Sequence, residues 1–166
     1  MKDTRACAYS FLYESSSLCD YEIATDELAS ETGLAMHYVK HSDLSRLVEL
    51  IYHANGSMRA KMAIEEEDIN YLTNLYDEIL NKIGSCKYFV LPQGSLGASY
   101  LHCLRSKTKA IIRIIHKIDQ EEAREKRPIL HDFFNLLSNI FFLMALVENK
   151  GEHIEEKQFT SKSYGC

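Results

Sequence analysis

Residues 89–106 read FVLPQGSLGASYLHCLRS, and they mark the turn from which the longest predicted helix begins. Pro92 cannot continue a helix from the preceding residues, because its ring removes a backbone hydrogen bond and clashes with the previous turn. Ser95 can accept a hydrogen bond from the free amides at the start of the next helix. We therefore expect a tight turn, a short extended piece at residues 88–91 and a helix over residues 96–125.

Four further helices are predicted around this turn. An acidic opening and a regular apolar repeat over residues 65–83 predict the clearest amphipathic helix, which Gly84 should end. Long helices with short connections pack antiparallel, so the predicted fold class is all-α, an up-and-down five-helix bundle. The other predicted helices cover residues 25–40, with Asp26 and Glu27 in the opening turn, residues from Ser42 to an interruption at Asn55–Gly56–Ser57, and residues 129–148 after Pro128.

The composition indicates one globular domain. A chain of 166 residues with 46% hydrophobic residues and two prolines can bury a single substantial core. The net charge of -5 gives no general attraction to nucleic acid or to an anionic membrane, so we expect neither as a partner. Any bound anion must therefore be held by a local cationic cluster.

Cysteine usage and hydropathy both indicate a soluble cytoplasmic protein. The five cysteines lie at irregular spacing without a CxxC pair, so we expect free thiols and neither a zinc site nor a disulfide framework. The opening residues, MKDTRACAYSF, lack the apolar core of a signal peptide. The most apolar stretch, residues 136–147, is too short to span a membrane.

Basic residues recur at helical spacing along the predicted fourth helix, where each lies three or four residues from the next. Such a stripe is either a solvated surface or a binding site for a polyphosphate. The stripe comprises His102, Arg105, Lys109, Arg113 and His116.

Three motifs of this chain resemble those of the PduO-type ATP:cobalamin adenosyltransferases. Residues 89–106 are similar to that family's F-[VI]-L-P-G-G-S and L-H-x-A-R-T motifs, and the internal spacing matches without a gap. Residues 21–35 resemble YGTVDELNSxLGLA, and residues 134–142 resemble LNRLSDYLF. The likeness covers a helical-bundle domain over residues 21–149, between a divergent N-terminal segment, 1–20, and a polar tail, 150–166, expected to be mobile.

The resemblance implies a homotrimeric five-helix bundle that binds ATP, Mg²⁺ and a corrinoid between neighbouring subunits. It implies transfer of the adenosyl group of ATP to reduced cobalt, and it leaves open a cobalamin-dependent client enzyme as a further partner. Phe89 would cover the lower face of the corrin, unless it is an ordinary core aromatic. Asp26 and Arg105 would form an ion pair across the subunit boundary beside the substrates.

Further roles carry over by position. Lys109 and Arg113 stand in the family's arginine-rich stretch and would bind the triphosphate. Asn135 would belong to the ATP and corrin neighbourhood, or else bridge two helices. His102 matches the L-H-x-A-R motif, although a lone histidine is more often structural.

The chain departs from the family pattern on the ATP side. The N-terminal glycine-rich phosphate loop, T-K-x-G-D-x-G-x-T, is not recognisable, and the first glycine is Gly33. The hydroxyls of residues 15–17 are a conjectural replacement as phosphate donors. Gln93 replaces a glycine, and Leu136 and Asn139 replace the arginine and aspartate of LNRLSD. Two alternatives therefore remain: a non-catalytic corrinoid-binding carrier, sensor or partner subunit, and a plain helical interaction module.

Overall fold

The computed structural model describes residues 4–84, 88–121 and 127–164, and within these residues the chain forms five α-helices and no strand. The predicted all-α fold class is confirmed. The helices are α1 (Ser17–Ala35), α2 (Leu44–Ser57), α3 (Glu66–Ile83), α4 (Leu96–Glu121) and α5 (Pro128–Gly151).

The ends of α3, α4 and α5 follow the local chemistry of the sequence. Glu65 and Asp68 form a capping box at the start of α3, in which each side chain accepts the backbone N–H of the other. Gly84 ends the same helix with φ +80°, a conformation that favours glycine. The hydroxyl of Ser95 accepts the N–H three residues ahead at 3.0 Å, and Pro128 occupies the first turn of α5.

The first helix begins earlier than predicted. It starts at Ser17, with Ser16 as its cap, so Asp26 and Glu27 lie in the middle of the helix and not in its opening turn. Four of its first five residues are buried, which shows that tertiary packing outweighs a weak local pattern here.

The other helix ends differ less. The second helix ends at Ser57, within the stretch expected to interrupt it, and α5 continues to Gly151, three residues beyond its predicted end. The predicted end of α4 at residue 125 lies outside the described residues.

Consecutive helices run in opposite directions. Tyr21, near the start of α1, donates a hydrogen bond of 2.7 Å to the carbonyl of Ala54, near the end of α2. His131, near the start of α5, lies 2.8 Å from Asp119, near the end of α4. The extensively packed pairs are α1–α2, α1–α4, α4–α5 and α3–α5. The bundle is therefore up-and-down, with α3 and α4 on α5, α1 on α4 and α2 on α1.

Aromatic rings fill the centre of the bundle. Phe133 and Phe134 meet edge to face at 4.9 Å between ring centroids, and Tyr21 meets Phe134 in the same way at 6.1 Å. Helix α5 is long and apolar enough to cross a membrane by length and composition alone, but most of its most apolar window is buried inside the bundle. Packing in the core therefore accounts for its hydrophobicity.

The polar tail docks onto the turn before α4, whereas the sequence suggested that it would be mobile. Val90 and Gln158 form an isolated antiparallel bridge. The N–H of Leu91 donates to the carbonyl of Lys157 at 2.9 Å, and the N–H of Phe159 donates to the carbonyl of Phe89 at 2.8 Å. The predicted extended piece is thus present, and its pairing partner is the tail.

The core predicts a large difference between two Phe→Ala substitutions. Phe134→Ala should lower the free energy of unfolding by about 3–5 kcal/mol, because it removes a fully buried ring. Phe89→Ala removes the same atoms from a ring that is 82% exposed and should change stability by less than about 0.5 kcal/mol. Urea unfolding at one protein concentration measures both, and equal losses would contradict this assignment of the core.

Candidate functional site

The turn before α4 places Phe89 on the surface. Its side chain is 82% exposed, so it is not the core aromatic that the sequence allowed as an alternative. An exposed aromatic ring on a backbone whose carbonyl is hydrogen-bonded to the tail is suited to contact a flat apolar ligand or a second subunit.

Arg105 lies between α4 and α5. Its guanidinium carbon is 5.6 Å from the centroid of the Phe142 ring, within the range of a cation–π contact. Its Nε is buried and has no hydrogen-bond partner among the described residues. Because an unpaired buried donor costs about 1–3 kcal/mol, this N–H can gain energy from an acceptor that a ligand or another subunit brings.

His102 lies one turn before Arg105 and is neutral. Its side chain is buried, and neither ring nitrogen has a hydrogen-bond partner within the described part of the chain. Burial, helped by the positive charge of Arg105, lowers the pKa of His102 to about 4. The predicted basic stripe therefore begins at Arg105, and His102 packs instead beside the Phe142 ring.

Lys109 and Arg113 are exposed on α4 and make no hydrogen bond or ion pair with the described residues. Lys107, on the same helix, differs because its ammonium lies 2.6 Å from Glu27 and 2.8 Å from Glu31 of α1. Lys109 and Arg113 are thus available to an anion, whereas the charge of Lys107 is already neutralised by the two glutamates.

Asn135 lies on the exposed side of α5. Its amide donates 2.8 Å to the carbonyl of His131 in its own helix, so it does not bridge two helices through a hydrogen bond within the described chain. The hydroxyl of Ser138 reaches the carbonyl of Arg105, and His131 reaches Asp119. Along the α4–α5 interface, Asn135 lies between these two contacts, at the same height as Lys109 and Arg113 of α4.

Asp26 lies on a different face of the chain. It accepts a hydrogen bond of 2.6 Å from the hydroxyl of Tyr52 and lines a cavity of about 270 Å³ between α1, α2 and the N-terminal segment. Arg105 faces α5, so the two residues do not pair within one chain. The predicted ion pair lies across a subunit boundary, and it stays a prediction because the structure contains one chain.

The N-terminal segment is tied down by an acidic cluster. Arg59 binds Glu14 and Glu22, and its guanidinium carbon lies 4.2 Å from the centroid of the Phe11 ring. The Ser16 hydroxyl donates to Glu14 and accepts from the start of α1. Ser17 is buried, and its N–H donates to a carboxylate, Glu121. These surroundings do not resemble a phosphate loop, which contradicts the conjecture for residues 16 and 17.

Two contacts of the site were not foreseen. The hydroxyl of Tyr52 donates to Asp26, and the N–H of Ser95, in the turn before α4, donates to the side chain of Asn149. Each contact joins residues that are far apart in the sequence. For Asn149 the sequence offers no distinct signal, because Glu148 and Lys150 on either side of it are also polar.

Sequence comparisons match this chain to cobalamin and corrinoid adenosyltransferases. A family model described as cobalamin adenosyltransferase matches residues 9–148. A corrinoid adenosyltransferase of Citrobacter freundii is 30% identical over 135 residues, which cover 74% of this chain and 76% of that protein. One of Bacillus subtilis (strain 168) is 30% identical over 148 residues, which cover 81% and 75%.

Solved structures with the same fold include variants of a PduO-type ATP:corrinoid adenosyltransferase from Lactobacillus reuteri. One, complexed with cobalamin and ATP, has a TM-score of 0.79 at 22% identity and covers 90% of this chain and 87% of that chain. Another, complexed with ATP, has a TM-score of 0.80 at 23% identity and covers 90% of each.

The burial of His102 predicts that acid destabilises the fold. A histidine in the unfolded chain binds a proton near pH 6.5, whereas His102 in the folded chain stays neutral down to about pH 4. Between these values the unfolded state binds more protons, so the free energy of unfolding falls as the pH is lowered through this window. Urea unfolding should show a shallower fall for His102→Leu, which lacks the titrating group; identical slopes would contradict a neutral His102.

Proposed function

Because this chain belongs to the cobalamin adenosyltransferase family, we propose that it transfers the adenosyl group of ATP to the reduced cobalt of a corrinoid. With cobalamin as the acceptor, the products are adenosylcobalamin and triphosphate.

The reaction makes limited demands on the protein. The Co(I) centre attacks C5′ of ATP, a cobalt–carbon bond forms, and the C5′–oxygen bond breaks. The electron pair of the broken bond leaves with triphosphate, and cobalt is formally oxidised to Co(III). Since no proton has to move, the side chains need only align the two substrates and stabilise the charge on triphosphate.

The observation that carries the proposal is the buried, unpaired Nε of Arg105. It lies on the same helix as Lys109 and Arg113, two exposed cations without a partner among the described residues. Donors and cations that lack partners in the free chain fit a polyphosphate, which supplies several acceptor oxygens and negative charges. We assign these three residues, with Asn135 opposite them on α5, to ATP.

We assign Phe89 to the corrinoid. Its exposed ring can cover the lower face of the corrin and exclude water and the axial base from cobalt. Lys109 keeps the charge of the family's arginine but lacks the forked donor geometry, so it would act on phosphate as a point charge.

We place the complete site between the subunits of a homotrimer. Asp26 and Arg105 lie on different faces of one chain, which supports an arrangement in which Asp26 of one subunit pairs with Arg105 of the next. The Tyr52 hydroxyl would then orient Asp26 from its own subunit.

Mg²⁺ and a cytoplasmic location complete the proposal. The described residues contain no group of three or more metal-binding side chains, so we assign Mg²⁺ to the oxygens of triphosphate and to no residue. The thiols of Cys7, Cys19 and Cys103 are free, which suits the reducing cytoplasm that Co(I) also requires. A cobalamin-dependent client enzyme would take up the product.

A corrinoid carrier or sensor is the second candidate. It is favoured by the N-terminal segment, in which Arg59 and Ser16 are occupied by carboxylates and offer nothing to phosphate. Such a protein would bind corrinoid through Phe89 without turning over ATP.

An anaerobic assay with Co(I) cobalamin, ATP and Mg²⁺ tests the activity through the optical spectrum of the light-sensitive cobalt–carbon bond. Native protein should form adenosylcobalamin, and Arg105→Ala should lose at least about 100-fold in rate, as for other lost charge-stabilising donors. Lys109→Ala and Arg113→Ala should each raise KM for ATP about tenfold.

Lys117→Ala is the matched control for these variants. Lys117 is an exposed lysine of α4 that pairs with Glu121 in its own helix, so its loss should leave KM for ATP unchanged. Saturable cobalamin binding without product in the native protein would contradict adenosyl transfer and support the carrier.

Mixing two inactive variants tests whether the site is shared between subunits. Asp26→Ala and Arg105→Ala should each be nearly inactive alone. Mixed trimers from equal amounts should recover about a quarter of the native activity, because one interface in four combines an intact Asp26 with an intact Arg105. Each variant carried alone through the same unfolding and refolding is the control, and no recovery in trimers shown to be mixed would place the pair within one chain.

A further inference from the structure

Asn149 connects the end of α5 to the turn before α4 and to the tail. Its side chain is 1% exposed near the end of α5. Its Oδ1 accepts the N–H of Ser95 at 2.9 Å, and its Nδ2 donates to the carbonyl of Gln93 at 3.0 Å and to Oε1 of Glu156 at 2.8 Å. Both amide hydrogens and the amide oxygen are therefore used, in bonds to the turn before α4 and to the tail.

The turn is shaped to fit this side chain. Gly94 has φ +134°, a conformation that favours glycine, and a Cβ added there would stand 2.0 Å from Oδ1 of Asn149. Gly94 thus allows the backbone of the turn to close directly onto the amide of Asn149.

The tail on the other side of Asn149 holds the backbone of Phe89. Glu156, bonded to Asn149, leads directly into residues 157–159, which pair with residues 89–91. The backbone N–H of Leu91 and the backbone carbonyl of Phe89 are both engaged with this part of the tail. Because the Phe89 ring is 82% exposed, packing within the chain does little to orient it, and these backbone bonds must do so.

We propose that Asn149 is a positioning residue for the corrinoid: together with Glu156 and residues 157–159 it forms a latch that fixes the backbone of Phe89. This role rests on the proposed function, since it is through the contact of Phe89 with the corrinoid that the latch acts. Asn149 itself, buried behind the turn, touches neither substrate. Opening the latch leaves the cations of α4 in place, so it weakens corrinoid binding and spares ATP binding.

Hydrogen exchange tests the latch without reference to activity. In Glu156→Ala, which removes the acceptor of the Asn149 amide, the N–H groups of Leu91 and Phe159 should exchange about tenfold faster than in the native protein. Asn149→Ala should have at least the same effect. Glu156→Gln keeps an acceptor oxygen and should exchange like the native protein, while amides of the α4–α5 core stay unchanged in Glu156→Ala.

Ligand titration tests the consequence. The Kd of Glu156→Ala for cobalamin should rise about tenfold while its Kd for ATP stays within about twofold of the native value. The decisive control is a double-mutant cycle: in a Phe89→Ala background, Glu156→Ala should change the Kd for cobalamin by less than about twofold, because the latch acts through Phe89. A merely stabilising role would give the same tenfold effect in both backgrounds.

The outcomes separate the latch from the proposed function. Unchanged exchange at Leu91 and Phe159 in both variants overturns the latch, and so does a full effect of Glu156→Ala in the Phe89→Ala background. If native protein binds cobalamin but forms no adenosylcobalamin, adenosyl transfer fails, and the exchange and titration results still decide the latch. Native binding of neither cobalamin nor ATP overturns both.

Discussion

The burial of α5 is the constraint on which the rest of the structure depends. Half of its 24 residues are buried, and they occur on more than one side, so a single neighbouring helix cannot cover them. Helices α3 and α4 pack against it, α1 packs on α4, and α2 packs on α1. In this order the α4–α5 pair and the α1–α2 pair each have a side that no other helix covers, and these two sides lie apart on the bundle. Arg105 therefore lies at the α4–α5 contact and Asp26 at the α1–α2 contact, on different sides of one chain.

The bounds of a helix could be predicted where its capping residues and its apolar repeat agree with the face that it buries. Helix α3 could be placed closely because an acidic opening, a strong apolar repeat and Gly84 all agree. Helix α1 was placed less closely, because its buried face includes hydroxyl side chains that look polar in the sequence. Thr25 and Thr32 are fully buried and donate to carbonyls one turn earlier, at 2.8 and 2.7 Å, so they need no solvent. Such a face has no clear apolar stripe, although it packs as well as one.

The sequence could group side chains that lie on one helix, but it could not pair residues that come from distant elements. Spacing along the predicted fourth helix grouped Arg105, Lys109 and Arg113, whereas Phe89 was assigned only through the resemblance of residues 89–106 to the family motifs. His102 was grouped with them by the same spacing, and only the structure shows that it is buried and neutral. Contacts such as Tyr52 with Asp26, and Asn149 with Ser95, join elements that come together only in the folded bundle.

The pairing of the tail with the turn before α4 also makes this turn depend on residues that follow the last helix. Val90 and Gln158 are 68 positions apart, and every helix of the bundle lies before Gln158 in the chain. All five helices can therefore be present while the carbonyl of Phe89 and the N–H of Leu91 lack their backbone partners. A chain cut before residue 157 would keep all five helices and lose these two hydrogen bonds, so proteolysis of the tail would release the turn without removing any part of the helical core.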